Sequence, residues 1–285
     1  MSRLVRGRTA VVTDSTAALA PEMTGSLGVT VVPMQVMVDG RSYEDGVDLG
    51  PAEVAAALWA GARLTTSRPA SGTFAAAYAR LAAAGATDVV SVHISGSLSG
   101  TADSARDAAR TAGLPVTVVD SRSLGLGLGF AVLAAAEAAE AGAALDVVAE
   151  VALRTAAATP VLFYVDTLEH LRRGGRIGAA ARLLGSALSV KPLLRLEDGA
   201  IVPLEKVRTA GRALARLEDL AAETAGDRDV DLGVHHLASP ERASALATRL
   251  AERLPRVHDL HVVEVGAAIG AHAGPGLLAV AVAPA

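Results

Sequence analysis

Short apolar runs alternate with longer segments rich in Ala, Leu, Glu and Arg over the first half of the chain. The runs are Thr9 to Val12, Val29 to Val38, Val89 to Ile94 and Val116 to Val119. Runs apolar at nearly every position suit strands buried on both faces, and their alternation with helical segments predicts βα units feeding a mostly parallel sheet. Phe74 to Leu81 repeats bulky apolar residues at helical spacing, and Phe130 to Ala141 is almost wholly helix-forming. Such segments are expected to cover both sheet faces as an α/β/α sandwich.

After about residue 158 the rhythm changes. Val161 to Val165 reads as a strand and Leu168 to Arg173 as a short helix. Lys191 to Leu196 and Ala200 to Leu204 flank Glu197-Asp198-Gly199, and Asp-Gly favours a tight hairpin turn. A helix from about Arg212, a strand from Leu232 to His236, a helix capped by Ser239 with Pro240 in its first turn, and two last apolar strands complete the pattern. The fold class expected is α/β with two domains: residues 1–158 as a mostly parallel α/β domain, and 159–285 as an α+β domain with antiparallel pairing. At 285 residues the chain has the length for two cores, with a ligand cleft expected between them.

Composition narrows the function. The chain is 51% hydrophobic and only 2% aromatic, so small side chains dominate its interior. A net charge of −4 argues against an extended nucleic-acid surface, and no nucleic-acid partner is expected. The absence of Cys removes disulfides, thiolate zinc sites and thiol catalysis, and fits a cytoplasmic location. The basic N-terminus from Met1 to Arg8 is followed by an apolar stretch broken at Thr13-Asp14-Ser15-Thr16, so no signal peptide is expected. Val265 to Ala285 is uncharged and long enough to span a bilayer, but His272 and Gly274-Pro275-Gly276 interrupt it.

The candidate chemistry lies after the apolar runs, where open parallel sheets bind ligands. Thr13-Asp14-Ser15-Thr16, Ser95 to Thr101, and Asp120-Ser121-Arg122-Ser123 follow three of them, and Thr65-Thr66-Ser67 precedes the Phe74 helix. Exposed N–H groups at helix starts favour an anion there. Helix capping explains such residues too, and for any one loop it is the simpler account. Convergence on one sheet edge favours a ligand. No phosphate-binding glycine motif follows the first strand, which makes carboxylate the better anion. The second half adds a basic glycine turn from Leu171 to Gly178, with Lys191, Lys206 and Arg208, and a loop carrying His272 among small residues.

In order along the chain stand Val11-Val12-Thr13-Asp14-Ser15-Thr16, Val32-Pro33, Tyr43-Glu44-Asp45, Thr66-Ser67-Arg68-Pro69, Leu98-Ser99-Gly100-Thr101, Val119-Asp120-Ser121, Gly174-Gly175-Arg176-Ile177, Lys191-Pro192 and His272-Ala273-Gly274-Pro275-Gly276. This ordered set resembles the DegV family, whose better-understood members look like the fatty-acid-binding subunits of bacterial fatty acid kinase. The resemblance implies a non-catalytic cytoplasmic carrier that buries a long-chain fatty acid. It would present the carboxylate to a separate ATP-dependent kinase subunit, with transient contact to a membrane surface and no cofactor or metal.

Carried over by motif, the headgroup roles fall on Thr66, Ser99 and His272, with Ser67, Gly100 and Gly274 beside them. Arg208 and Arg176 match basic positions for phosphate handling or partner contact. Hydroxyls and an imidazole can satisfy a buried carboxylate without a strong countercharge. The chain departs from the family pattern at Arg68, where Gln is common, at Gly96, where a second Ser is usual, and at Ala102, which replaces a frequent Tyr. Two alternatives rank lower. One is an enzyme resembling the substrate domain of dihydroxyacetone kinase, with His235 or His236 holding substrate covalently; the other is a lipid-sensing regulatory module. No Ser-His-acid grouping for hydrolysis can be argued from spacing alone.

Overall fold

A computed structural model describes residues 8–20, 23–24, 27–183 and 191–285. The basic N-terminal residues 1–7 lie outside that set. The chain folds into two compact units, each built from two stretches. One comprises the chain up to Gln35 with Ser67–Ala158, the other Val36–Thr66 with Thr159–Ala285. Ala158 ends the second stretch of the first unit, and Val36–Thr66 groups with the C-terminal half.

The strands run β1 (Thr9–Asp14), β2 (Thr30–Val32), β3 (Gln35–Val38), β4 (Arg41–Glu44), β5 (Leu64–Ser67), β6 (Asp88–His93), β7 (Val116–Asp120), β8 (Val161–Tyr164), β9 (Lys191–Glu197), β10 (Ala200–Val207), β11 (Val230–His236), β12 (Val257–Glu264) and β13 (Leu278–Pro284). The apolar stretch from Val29 to Val38, read as one strand, is two. Pro33 lacks the N–H a continuous ladder needs, and the chain leaves one unit for the other just beyond it.

In the first unit a parallel sheet has the order β2-β1-β6-β7. Val11 pairs with Val90, and Val92 with Val119. Every residue of β1 is buried, as expected for a central strand covered on both faces. Ala10 and Val12 join Phe74, Tyr78, Leu81, Ala105 and Ala108 in one core cluster, which brings the helices Ser71–Ala83 and Thr101–Ala109 onto the sheet. Leu126–Glu140 packs on β1, and Leu145–Ala158 on β6 and β7. The expected α/β/α sandwich is present.

In the second unit six strands are ordered β10-β9-β8-β13-β11-β12. All neighbours are antiparallel except β11 and β12. The β9–β10 hairpin turns at Asp198 (φ 48°) and Gly199 (φ 79°), both in the left-handed region that Asp-Gly tolerates. Helices Ala210–Ala225 and Pro240–Arg253 bury Leu217, Leu246 and Leu250 against Leu232, Val280 and Val282. Ser239 sits at the start of the second helix as expected, but its side chain makes no capping hydrogen bond. A small sheet, β4-β3-β5, lies in the inserted segment. Thr65-Thr66-Ser67 therefore belongs to an edge strand, not to a helix-capping loop. Among the described residues, no helix is long and apolar enough to cross a membrane.

Candidate functional site

In the first unit the residues following β1, β6 and β7 emerge at adjacent strand ends, and most of their polar atoms bond to one another. The buried Asp14 carboxylate accepts from Thr16 N–H (3.1 Å), the Thr16 hydroxyl, Ile94 N–H (3.1 Å) and His93 Nδ1 (3.0 Å). His93 Nε2 lies 2.7 Å from Ser91 Oγ, which in turn accepts from the Tyr78 hydroxyl at 2.9 Å. One neutral tautomer, with the proton on Nδ1, satisfies every member of this chain. Burial pushes the Tyr78 phenol up to about 12, only partly offset by Ser91, so it remains a donor.

Ser91, His93 and Asp14 thus form a serine–histidine–carboxylate series that spacing did not reveal. It is not a nucleophilic centre. All three residues are fully buried, and Tyr78 already occupies the serine oxygen. Phe74 also stands edge-on to the His93 ring.

The neighbouring loops are stapled the same way. Ser121 Oγ donates to His93 O (2.7 Å), Ser95 N–H to Ser123 O (2.9 Å), and Gly96 N–H to both Asp120 carboxylate oxygens (3.1 Å each). Helix capping accounts for the first of these loops, where Asp14 caps the short 3-10 turn Ser15–Ala17 through Thr16 N–H, but not for the others. The helices beginning at Ser71, Thr101 and Leu126 start from Ala70, Gly100 and Gly125 without a side-chain cap. Ser99 is half-buried, with its Oγ 2.8 Å from Thr101 Oγ1; Gly100 lies between them, and Ser67 is exposed at the end of β5.

The second unit brings Thr66 and His272 together. Thr66 Oγ1 on β5 lies 2.7 Å from His272 Nε2 on the short helix Ala267–Ala273. His272 Nδ1 is buried and has no hydrogen-bond partner among the described residues. Burial, with the nearby Arg176 charge, pushes this histidine down to about 4, so the ring is neutral at pH 7. Arg176 is held in place by donation to Gly174 O at 2.7 Å.

Two glycines make this packing possible. A Cβ on Gly174 would stand 1.9 Å from His272 Nδ1, and one on Gly274 would stand 2.2 Å from His170 Cδ2. Each histidine ring therefore lies on the glycine of the other's loop. Gly274 also has φ 78° as it ends the His272 helix. Burial is the main cause of a lowered pKa at His170 as well, with Arg173 second. The loop before it is fixed at Asp166, which accepts from the Tyr164 hydroxyl (2.5 Å) and from Lys191 Nζ (2.9 Å to its carbonyl).

Asp45 is a positioning residue to which the sequence reading gave no role. Its buried carboxylate accepts from Ala267 N–H at 2.5 Å and so caps the helix that carries His272. Both contacts tie the Val36–Thr66 segment to the C-terminal half, which explains its place in that unit. Arg208 is exposed just beyond β10 and has no ion-pair partner among the described residues, and Lys206 is exposed near the end of that strand. His235 is buried within β11, between β12 and β13, and burial with the adjacent His236 pushes it down to about 4. That placement suits a core histidine better than one attacking a substrate.

A neutral imidazole with a hydroxyl beside it can present two donors to one anionic oxygen pair once their mutual hydrogen bond opens.

The model of the DegV family matches residues 8–285. A DegV domain-containing protein of Streptomyces coelicolor is 55% identical over 273 residues, covering 96% of this chain and 97% of that one. Among solved structures, a fatty-acid-binding DegV family protein from Thermus thermophilus superposes with TM-score 0.91 at 37% identity, covering 98% of this chain and all of that one. DegV of Bacillus subtilis, described as a fatty acid binding protein, gives TM-score 0.90 at 32% identity over 98% of this chain and 99% of its own. A family match spanning almost every residue, agreeing with fold and ordered motifs alike, means that this chain belongs to the DegV family.

Proposed function

We propose that this protein is a non-catalytic fatty-acid carrier whose headgroup contacts include Thr66 and His272. The observation that carries the reading is the Thr66–His272 pair at 2.7 Å, with the imidazole neutral and its second nitrogen unpartnered. Relatives at 37% and 32% identity that bind fatty acids support it. A carboxylate is costly to desolvate and needs donors more than a fixed countercharge if it is later to be released. A buried aliphatic chain supplies about 0.8 kcal/mol per methylene, so the tail provides affinity and the donors provide orientation.

Ser67, Ser99, Gly100 and Gly274 are assigned headgroup roles by the motif resemblance. The same resemblance makes a separate ATP-dependent kinase the partner that phosphorylates the carboxylate. Arg208, exposed beyond an edge strand, and Arg176, beside His272, are the basic residues proposed for that handling. Mass spectrometry of the purified protein before and after organic extraction tests the reading. It should reveal a co-purified or exchangeable long-chain acid; absence of both, with no thermal shift from added palmitate, would overturn it. ATP turnover by the protein alone with magnesium and palmitate would contradict the carrier role.

A further inference from the structure

His272 is a buried histidine on which no carboxylate among the described residues bears. Its Nε2 meets the Thr66 hydroxyl at 2.7 Å, and its Nδ1 lies against Gly174 with no hydrogen-bond partner among those residues. Whichever nitrogen carries the proton, the other keeps a lone pair able to take a second one. Burial and the Arg176 guanidinium together keep the ring neutral at pH 7.

The acidic groups described around the ring are turned to other partners. The helix that carries His272 packs on the helices Pro51–Trp59 and Glu169–Arg173. On the first, Glu53 accepts from Gly50 N–H at 3.1 Å; on the second, Glu169 is held by Arg172 and Arg173 at 2.7 and 2.9 Å. Asp45 caps the His272 helix at Ala267 N–H, and Glu264, just before that helix, accepts from Ala238 N–H and stands 3.6 Å from His236. Asp166, beside Gly276, is taken by the Tyr164 hydroxyl, Lys191 and Arg242. His170, half-buried, rests on Gly274.

A carboxylate seated at Thr66 and His272 would therefore be the negative charge that the ring lacks. It attracts a proton to the imidazole directly, and it cancels the Arg176 repulsion that opposes one. A buried carboxylate left without a countercharge is costly, which drives the same uptake. We infer that fatty-acid binding at this site is proton-coupled: the carboxylate draws one proton from solvent onto the His272 ring and is held as an ion pair that the free protein does not contain. Loss of that proton restores a neutral ring and removes the countercharge, so a rise in pH favours release. The inference rests on the reading of Thr66 and His272 as headgroup contacts.

Calorimetry of laurate binding to the full-length protein at pH 6, in buffers of different ionisation enthalpy, counts the protons taken up. A carboxylate a few ångströms away carries a histidine from about 4 into the region of about 6–7. Uptake should therefore be about half to one proton per ligand at pH 6, and binding about two- to tenfold tighter at pH 6 than at pH 8. Nuclear magnetic resonance of the ring nitrogens at pH 6, with the His272 signal assigned by its loss in His272→Gln, should show a neutral ring in the free protein and a protonated one in the complex. No uptake, or a ring that stays neutral in the complex, would overturn the inference while leaving the carrier reading intact. His272→Gln keeps a donor but cannot take the proton, so uptake should vanish; uptake that persists would put the proton on the ligand or another group and overturn the inference as well. Failure of the unaltered protein to bind laurate or palmitate would overturn the carrier reading itself.

Discussion

The two units hold their polar groups in opposite ways. After the strands of the first, Asp14, His93, Ser91, Tyr78, Ser121 and Asp120 bond to one another and to the backbone. In the second, His272 keeps one buried nitrogen unpartnered, and the other contacts only Thr66. A dense polar loop is therefore weak evidence for a ligand where its donors are already satisfied, as most are here; in these loops the buried Thr13 and Ser123 hydroxyls are the exceptions among the described residues. The stronger evidence is a small group held in place by packing and left with unmet hydrogen-bonding capacity.

The largest test of this contrast is Asp14→Ala. It strands His93 Nδ1–H, Ile94 N–H and the Thr16 donors in a dry interior, so urea unfolding should show a loss of about 3 kcal/mol or more. A loss below about 1 kcal/mol would mean that the network is not structural.

Gly174→Ala probes the second unit. Its Cβ would collide with the His272 ring, at an expected cost of about 1–3 kcal/mol for overpacking. Palmitate affinity should fall as the imidazole leaves Thr66. Calorimetry finding unchanged affinity would separate His272 from the headgroup.

The buried histidines also set a pH dependence. His235 and His272 titrate near 4 in the folded protein, against 6.5 ordinarily. Below about pH 6.5 the unfolded chain takes up protons that the folded one refuses, so stability is full above that pH and falls toward pH 4. The slope approaches about 1.4 kcal/mol per pH unit for each such histidine. His170 and His236 are shifted in the same direction, mainly by burial. Urea midpoints at pH 7 and pH 5 read this directly; an equal or higher midpoint at pH 5 would contradict it.

The smallest effect belongs to the exposed pairs. Arg172 and Glu169 meet at 2.7 Å in solvent, yet Arg172→Ala should leave the melting temperature unchanged within error. A clear drop would show that the basic turn supports the His170 packing more than its exposure suggests.

Much of the fold was legible because its signals are local. Buried parallel strands announce themselves as unbroken apolar runs, and the Asp198-Gly199 turn by residue type. The Val36–Thr66 segment was harder, since β4 is Arg-Ser-Tyr-Glu with no buried residue and β5 is a short edge strand rich in threonine. Such strands lack the periodicity that identifies them. Within the candidate site, Thr66 and His272 lie 206 positions apart and no local pattern links them; the motif resemblance singled them out. Ser91 and His93 did leave a trace, as alternate residues of one strand share a face. Asp14 and Asp45 act across distances that only the fold closes.

The central claim is met most directly by isothermal calorimetry of palmitate binding to the protein and to its Thr66→Ala/His272→Ala variant, with circular dichroism confirming that both fold. The account predicts that affinity falls by about a hundredfold, as expected when two hydrogen bonds to a carboxylate are removed. Unchanged affinity in the folded double variant would contradict it and move the headgroup elsewhere.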